Sequence, residues 1–250
     1  TGGCDSPAGS SVYLIDPVSG IENTTTYPCF EHPVLVDLLD RHRLTWRYYQ
    51  PRVYAGLWDA PDAIRHIRYS ADYANVISPG TKFLTDIASE PLAAVTWIIP
   101  NAAQSDHAGI TDGSGPSWVA DVVNAIGESP YWNSTAIFIT WDDWGGWYDH
   151  VPPERYNAYE LGFRVPLIVI SPFAKRAYVS HAQHEFGSIL RFTEEVFGLG
   201  SLGYSDARAD DLSDCFDFNA APSPFQPIAA PLPASYFEHL PPDHRSPDDD

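Results

Sequence analysis

Asp142 and Asp143 stand side by side in the stretch IFITWDDWGGWYDHVPP, residues 137–153. Adjacent carboxylates repel one another unless a cation or a shared proton compensates them. Their hard oxygen donors suit a divalent ion, so the pair reads as half of a metal site. The plain alternative is a solvated turn before Gly145-Gly146. Trp141, Trp144, Trp147 and Tyr148 weigh against it, because exposed aromatics are a liability on an ordinary surface turn. Asp149-His150 follows in the same loop, and Asp106-His107 forms a second acid–imidazole pair upstream. His181 and His184 are spaced so that a helix would carry both imidazoles on one face, a metal-binding pattern. Against that, no nearby cysteine completes a zinc set, and Glu185 would point elsewhere. Capping or packing near the pocket is the other reading of the two histidines.

These groups need strands to hold them. Residues 136–140 form a β-branched apolar run, expected as a buried strand that ends at the acid pair. Residues 92–99 form a second such run, stopped by Pro100, and Asp106-His107 follows it. Further strands are expected at 11–15, 45–49 and 165–171. Helices are expected over 33–39, 82–87, 118–126 with Ser117 as N-cap and Gly127 at the end, and 188–197 ending at Gly198. Alternating helices and strands indicate an α/β fold, with central strands near 46–49, 93–99, 136–141 and 165–170. In such folds ligands bind beyond the carboxyl ends of strands, where His107 and the Asp142–Asp143 pair both fall.

At 250 residues, 44% hydrophobic and 14% aromatic, the chain has ample material for a packed core. A net charge of −19 argues against nucleic acid as a partner. No apolar run is long enough to span a membrane. The chain holds no methionine, which marks it as a processed product, an excised piece or an incomplete reading frame. Thr1 opens no signal-peptide pattern, and Thr-Gly-Gly-Cys reads as a loop interior rather than an N-terminal nucleophile. Cys4 and Cys29 flank a loop-rich segment and are candidates for a disulfide in an oxidising compartment, leaving Cys215 over. Asn23 and Asn133 head glycosylation sequons that read as chance matches. Residues 51–80, with Tyr54, Trp58, Tyr69 and Tyr73, read as an aromatic insertion or lid. Residues 206–214 read as an acidic loop. Residues 221–250, rich in Pro and closing on Asp248-Asp249-Asp250, read as an extended strap or tail.

Taken together, TWRYYQP, WIIPNAAQSDHAG, SPYWNSTAIFITWDDWGGWYDHVPP, GFRVPLIVISPFAK and SHAQHEFGSILRFTEEVFGL carry a specific resemblance. The chain resembles the C-terminal two thirds of the bacterial phosphoesterase family of acid phosphatases and non-haemolytic phospholipases C. That family is similar in fold to alkaline phosphatase. The resemblance makes residues 1–220 the C-terminal part of one catalytic domain. It implies metal-dependent hydrolysis of a phosphate-ester substrate through a phospho-Ser or phospho-Thr intermediate, in a periplasmic or secreted bacterial protein. Asp142 and Asp143 fall on the family's acid pair for one divalent metal ion. His107 falls on the active-site histidine, with Asp106 beside it. Asp149 and His150 fall on a pair that organises the site loop, and His181 on a histidine ahead of the last helix.

The resemblance also has a gap. The family's early Glu-Asn metal motif and its Ser or Thr nucleophile have no match here. Glu22-Asn23 spells the dipeptide, but it follows Ser19-Gly20 and does not end a strand. The expectation is therefore that an N-terminal segment of the same protein supplies the nucleophile. The rival reading is a catalytically silent fragment or subunit that contributes metal ligands and contacts only. A sulfatase-like hydrolase lacks support, because no Cys/Ser-x-Pro-x-Arg motif surrounds Cys4, Cys29 or Cys215.

Overall fold

A computed structural model describes residues 2–52, 58–110 and 112–241. Thr1, Tyr54 and the closing Asp248–Asp250 lie outside the described residues. In chain order the elements are β1 (Val12–Ile15), β2 (Glu22–Thr26), α1 (Leu35–Arg41), β3 (Trp46–Tyr49), α2 (Arg65–Arg68), β4 (Val76–Ile77), α3 (Phe83–Ser89), β5 (Val95–Ile98), α4 (Ser114–Gly127), β6 (Ile137–Thr140), β7 (Leu167–Ile170), α5 (Phe186–Phe197) and α6 (Ala234–Glu238). Short 3-10 turns join several of them.

β3 is the axis. It pairs in parallel with β4 on one side and β5 on the other, with Tyr48 opposite Val76 and Trp97. Its side chains alternate between faces, as a pleated strand requires. Trp46 and Tyr48 join a core with Leu35, Leu38 and Leu39 of α1 and Ile67 of α2. Tyr49 enters the opposite core with Phe83 and Ile87 of α3, Trp118 and Val122 of α4, and Phe237 of α6. Helices thus cover both faces of a parallel sheet, an α/β architecture.

The four expected strands are present but divide between two sheets. β3 and β5 lie in the parallel sheet, whereas β6 and β7 pair antiparallel as a two-stranded sheet of their own. α5 covers that sheet: Phe138 of β6 meets Phe192 of α5 at a ring-centroid distance of 5.1 Å, and Phe216 stacks on Phe192 at 5.0 Å. β5 and β6 are half-buried along their length rather than fully buried.

Several boundaries depart from the sequence expectation. α4 begins four residues ahead of Trp118, at Ser114. Gly113, at φ +74°, is its N-cap. Ser117 is accordingly an interior, buried helix residue, and its hydroxyl accepts from Leu232 N at 3.3 Å. Gly127 lies within the last turn because its missing Cβ leaves room for the Phe225 ring, which comes within 2.4 Å of the Cβ position. Glu22-Asn23 opens β2 of an antiparallel hairpin. Residues 58–80 supply β4 and place Ile64, Ile67, Tyr73 and Val76 in the core. Residues 221–241 lie along α4, where Asn124 exchanges two 2.8 Å hydrogen bonds with the Ile228 backbone. Cys4 and Cys29 form a disulfide.

Candidate active site

The loop after β5 is fastened to the start of α4. Ser114 Oγ donates to Ala103 O at 3.0 Å, and Gln104 Nε2 donates to Ser114 Oγ at 3.1 Å. Asp106 takes the left-handed backbone region at φ +58°, which Asp tolerates better than most residues. Its Oδ1 lies 2.1 Å from the place a Cβ on Gly115 would occupy, so a side chain at 115 would displace that carboxylate. Partial burial and the nearby Asp112 charge raise the Asp106 pKa. Asp106 thus seats its acid against the first turn of α4. His107 follows, half-buried. Its backbone N–H donates to Ser105 Oγ at 3.2 Å, and its ring Nδ1–H donates to Ala108 O at 2.9 Å. A carbonyl only accepts, so this contact fixes the tautomer and puts the neutral ring's lone pair on Nε2.

The loop after β6 turns at Trp144-Gly145-Gly146-Trp147, closed by Trp147 N–H to Trp144 O at 3.0 Å. Gly145 and Gly146 sit at φ +60° and +75°, a pair of positive values that demands glycine. Asp143 Oδ1 accepts Gly145 N–H at 2.6 Å, which fixes the second acid of the pair. Asp142 and Asp143 are both exposed, and Asp142 makes no carboxylate hydrogen bond among the described residues. Trp144 packs on Phe163 at 4.8 Å, and Tyr148 approaches the same ring at 6.4 Å.

The two loops meet. A Cβ on Gly145 would stand 3.7 Å from Ala108 Cβ, so the residue after His107 abuts the turn that follows the acid pair.

Asp149 and His150 play different parts. Asp149 receives Arg164 in a two-point pair, Nε to Oδ2 at 2.6 Å and Nη2 to Oδ1 at 2.9 Å, and also accepts Val151 N–H at 3.0 Å. The Arg164 hydrogen bonds hold its carboxyl well below the usual carboxylate range. His150 lies 3.6 Å from Asp149 Oδ1, and its side chain is 84% exposed.

His181 is exposed, in the loop before α5. The helical-face expectation for His181 and His184 does not hold, because α5 starts only at Phe186 and both precede it. His184 is instead the centre of a polar network the sequence reading did not assemble. Its Nδ1 lies 2.8 Å from Asp210 Oδ1 and its Nε2 2.8 Å from Ser180 Oγ. Asp210 and Asp214 belong to the stretch read only as an acidic loop.

A small cleft lined by Arg47, Tyr49, Asp86 and Glu90 shares no residue with these loops, and it is a structural ion-pair site, with Arg47 and Glu90 2.6 Å apart.

The model of the Phosphoesterase family matches residues 2–200. The chain belongs to the phosphoesterase family. Among curated proteins, it is 28% identical over 247 residues to the non-hemolytic phospholipase C of Pseudomonas aeruginosa, covering 81% of this chain and 34% of that one. It is 27% identical over 173 residues to phospholipase C B of Mycobacterium tuberculosis, covering 58% and 33%. It is 28% identical over 200 residues to the non-specific phospholipase C6 of Arabidopsis thaliana, covering 67% and 38%. The phosphoesterase chain therefore spans about a third of the length of these relatives.

Proposed function

We propose that this chain carries the acid-pair half of the active site of a phosphoric ester hydrolase of the phospholipase C or acid phosphatase type. The observation that carries the reading is the contact of the His107 loop with the Asp142–Asp143 loop through Ala108 and Gly145. Family membership supports the reaction class.

Asp142 and Asp143 are the residues that would hold a divalent ion. The fit rests on the donor set: a fixed Asp143 carboxylate, an Asp142 carboxylate with no hydrogen bond among the described residues, and oxygen donors throughout. Two carboxylates alone leave most of a hard ion's coordination positions to water or to other segments. When bound, such an ion neutralises phosphate charge and lowers the pKa of a hydroxyl nucleophile. His107 would accept or return a proton at the ester oxygen. Asp149 and Arg164 pair in the far limb of the Gly-Gly loop, and the exposed Trp144 and Trp147 would meet the substrate's alcohol portion. The nucleophile would come from a segment outside these 250 residues. The Cys4–Cys29 disulfide supports an oxidising, periplasmic or secreted location. No helix among the described residues is long and apolar enough to cross a membrane.

The test compares p-nitrophenyl phosphate and phosphatidylcholine turnover by the 250-residue chain and by a version extended upstream, with and without added divalent metal. The longer version should turn over substrate in a metal-dependent way, and the 250-residue chain should not. Asp142→Ala and His107→Ala in the longer version should each lower kcat by about 10²- to 10⁴-fold. Robust turnover by residues 1–250 alone would place the nucleophile inside this sequence and overturn the assignment. Unchanged turnover in Asp142→Ala would remove the acid pair from the site.

A further inference from the structure

The His184 network has the anatomy of a metal centre. Asp214 Oδ1 lies 3.7 Å from His184 Nε2 and 3.6 Å from Cys215 Sγ. One ligand atom from each of the three residues falls within 4.8 Å of the others. In a tetrahedral zinc site, bonds of about 2.0–2.1 Å to nitrogen and oxygen and about 2.3 Å to sulfur set ligand–ligand separations of roughly 3.3–3.6 Å. Two of the three edges are therefore within a few tenths of an ångström of that geometry, and the third is at most 4.8 Å.

The surrounding groups match as well. A metal-binding imidazole characteristically donates its other N–H to a carboxylate, which fixes its orientation. His184 Nδ1 does this with Asp210 Oδ1 at 2.8 Å. Asp210 is held in turn by Ser188 Oγ at 2.7 Å and Leu212 N–H at 3.2 Å. A ligating carboxylate is likewise steadied on its second oxygen. Asp214 Oδ2 accepts from Ser180 Oγ at 2.5 Å and Tyr178 OH at 3.0 Å, while Oδ1 faces His184 and Cys215. Cys4 and Cys29 are joined, so Cys215 is the free thiol, and it is buried. A neutral imidazole, one carboxylate and one thiolate together balance a divalent cation.

We propose that His184 Nε2, Asp214 Oδ1 and Cys215 Sγ bind a borderline divalent metal of the zinc class, with water or Ser180 Oγ in the fourth position. The site shares no residue with the Asp142–Asp143 pair. Thiolate and imidazole select zinc-like ions, whereas the paired carboxylates select harder ones. Its role is structural. Backbone bonds already run Lys175 N–H to Cys215 O at 2.9 Å and Asp217 N–H to Phe173 O at 2.8 Å. A metal would lock residues 210–215 to the 173–185 loop that leads into α5. Binding exchanges the Cys215 S–H bond for a sulfur–metal bond and releases that proton to solvent.

The experiment adds Co²⁺, a spectroscopic stand-in for Zn²⁺, to the chelator-treated 250-residue chain. A thiolate-to-cobalt charge-transfer band that saturates with one tightly bound equivalent and is displaced by Zn²⁺ is the expected result. It should persist in the Asp142→Ala/Asp143→Ala variant and vanish in Cys215→Ser. Asp210→Asn should weaken binding by about 10- to 100-fold. Should Cys215→Ser not fold, alkylation of the wild-type thiol decides: Zn²⁺ should slow modification of Cys215, read by mass spectrometry. Absence of the band together with equal alkylation with and without Zn²⁺ overturns the site. So does a band that survives Cys215→Ser or disappears in the acid-pair variant.

Discussion

Ala108 Cβ lies 3.7 Å from the position a Cβ on Gly145 would take, which brings loops that follow two different sheets into contact. That separation falls at the usual Cβ–Cβ distance of a disulfide, about 3.8 Å. Ala108→Cys combined with Gly145→Cys should therefore cross-link on oxidation, seen as a mass loss and a chymotryptic fragment joining the two loops. The left-handed backbone at position 145 adds about 1–2 kcal/mol of strain, so the reduced pair should be less stable than wild type. Two persistently free thiols under oxidant would show that the loops are not neighbours in solution.

Asp149 should titrate below an ordinary carboxyl. The Arg164 hydrogen bonds are the main cause, followed by the Val151 N–H. A depressed native pKa stabilises the fold above the unfolded value of about 3.9, and that contribution disappears as pH falls through the native value. Arg164→Ala should return the Asp149 carboxyl towards the ordinary range, measurable by carbonyl-carbon NMR titration. No movement on removing Arg164 would mean the pair does not form.

His66 carries a pH dependence of the opposite sense. Partial burial lowers its pKa, but hydrogen bonds and charge from Glu31 and Asp37 outweigh this and hold it above its ordinary value. The raised value means the contribution is full below about pH 6.5 and is lost as pH rises through the native pKa. Urea midpoints should therefore decline from pH 6 towards pH 8, and His66→Gln should flatten that decline. Solvent exposure of the ring keeps the effect small.

Phe237 is fully buried on α6, with its ring 5.4 Å from Trp118. Phe237→Ala should cost about 3–5 kcal/mol, the range for deleting a buried aromatic, and loosen residues 221–241 from α4. Hydrogen exchange along α4 and a denaturation midpoint would read this. A cost under ~1 kcal/mol would show that the segment adds nothing to the core.

Cys4 and Cys29 close a loop with a sequence separation of 25. Cys4→Ser with Cys29→Ser should destabilise the protein by about 3 kcal/mol through freed chain entropy in the unfolded state. Equal unfolding midpoints with and without the pair would contradict this.

The sequence by itself determined the family and most of the longer segments, but not β2, α2, β4 or α6. Runs such as 136–140 and 165–171 are continuous and apolar, so their strands could be read from local pattern, although in the fold they are only half-buried. Gly145-Gly146 specified its turn because two positive φ values leave no other choice. The helix over 114–127 was legible in its middle but not at its start, because Ser117 looks like a cap and becomes an interior residue when Leu232 binds its hydroxyl.

Only the tertiary structure decided what meets what. The division of β3–β5 and β6–β7 into two sheets, one parallel and one antiparallel, is a matter of long-range pairing, and strand pattern does not encode partner or direction. The meeting of Ala108 with Gly145 has the same origin. His184 shows the effect most fully. It looked like half of a helical histidine pair, yet its partners Asp210 and Asp214 lie 26 and 30 residues on. Side-chain geometry at that separation is set by how the 205–215 segment packs beside α5, which no local periodicity records.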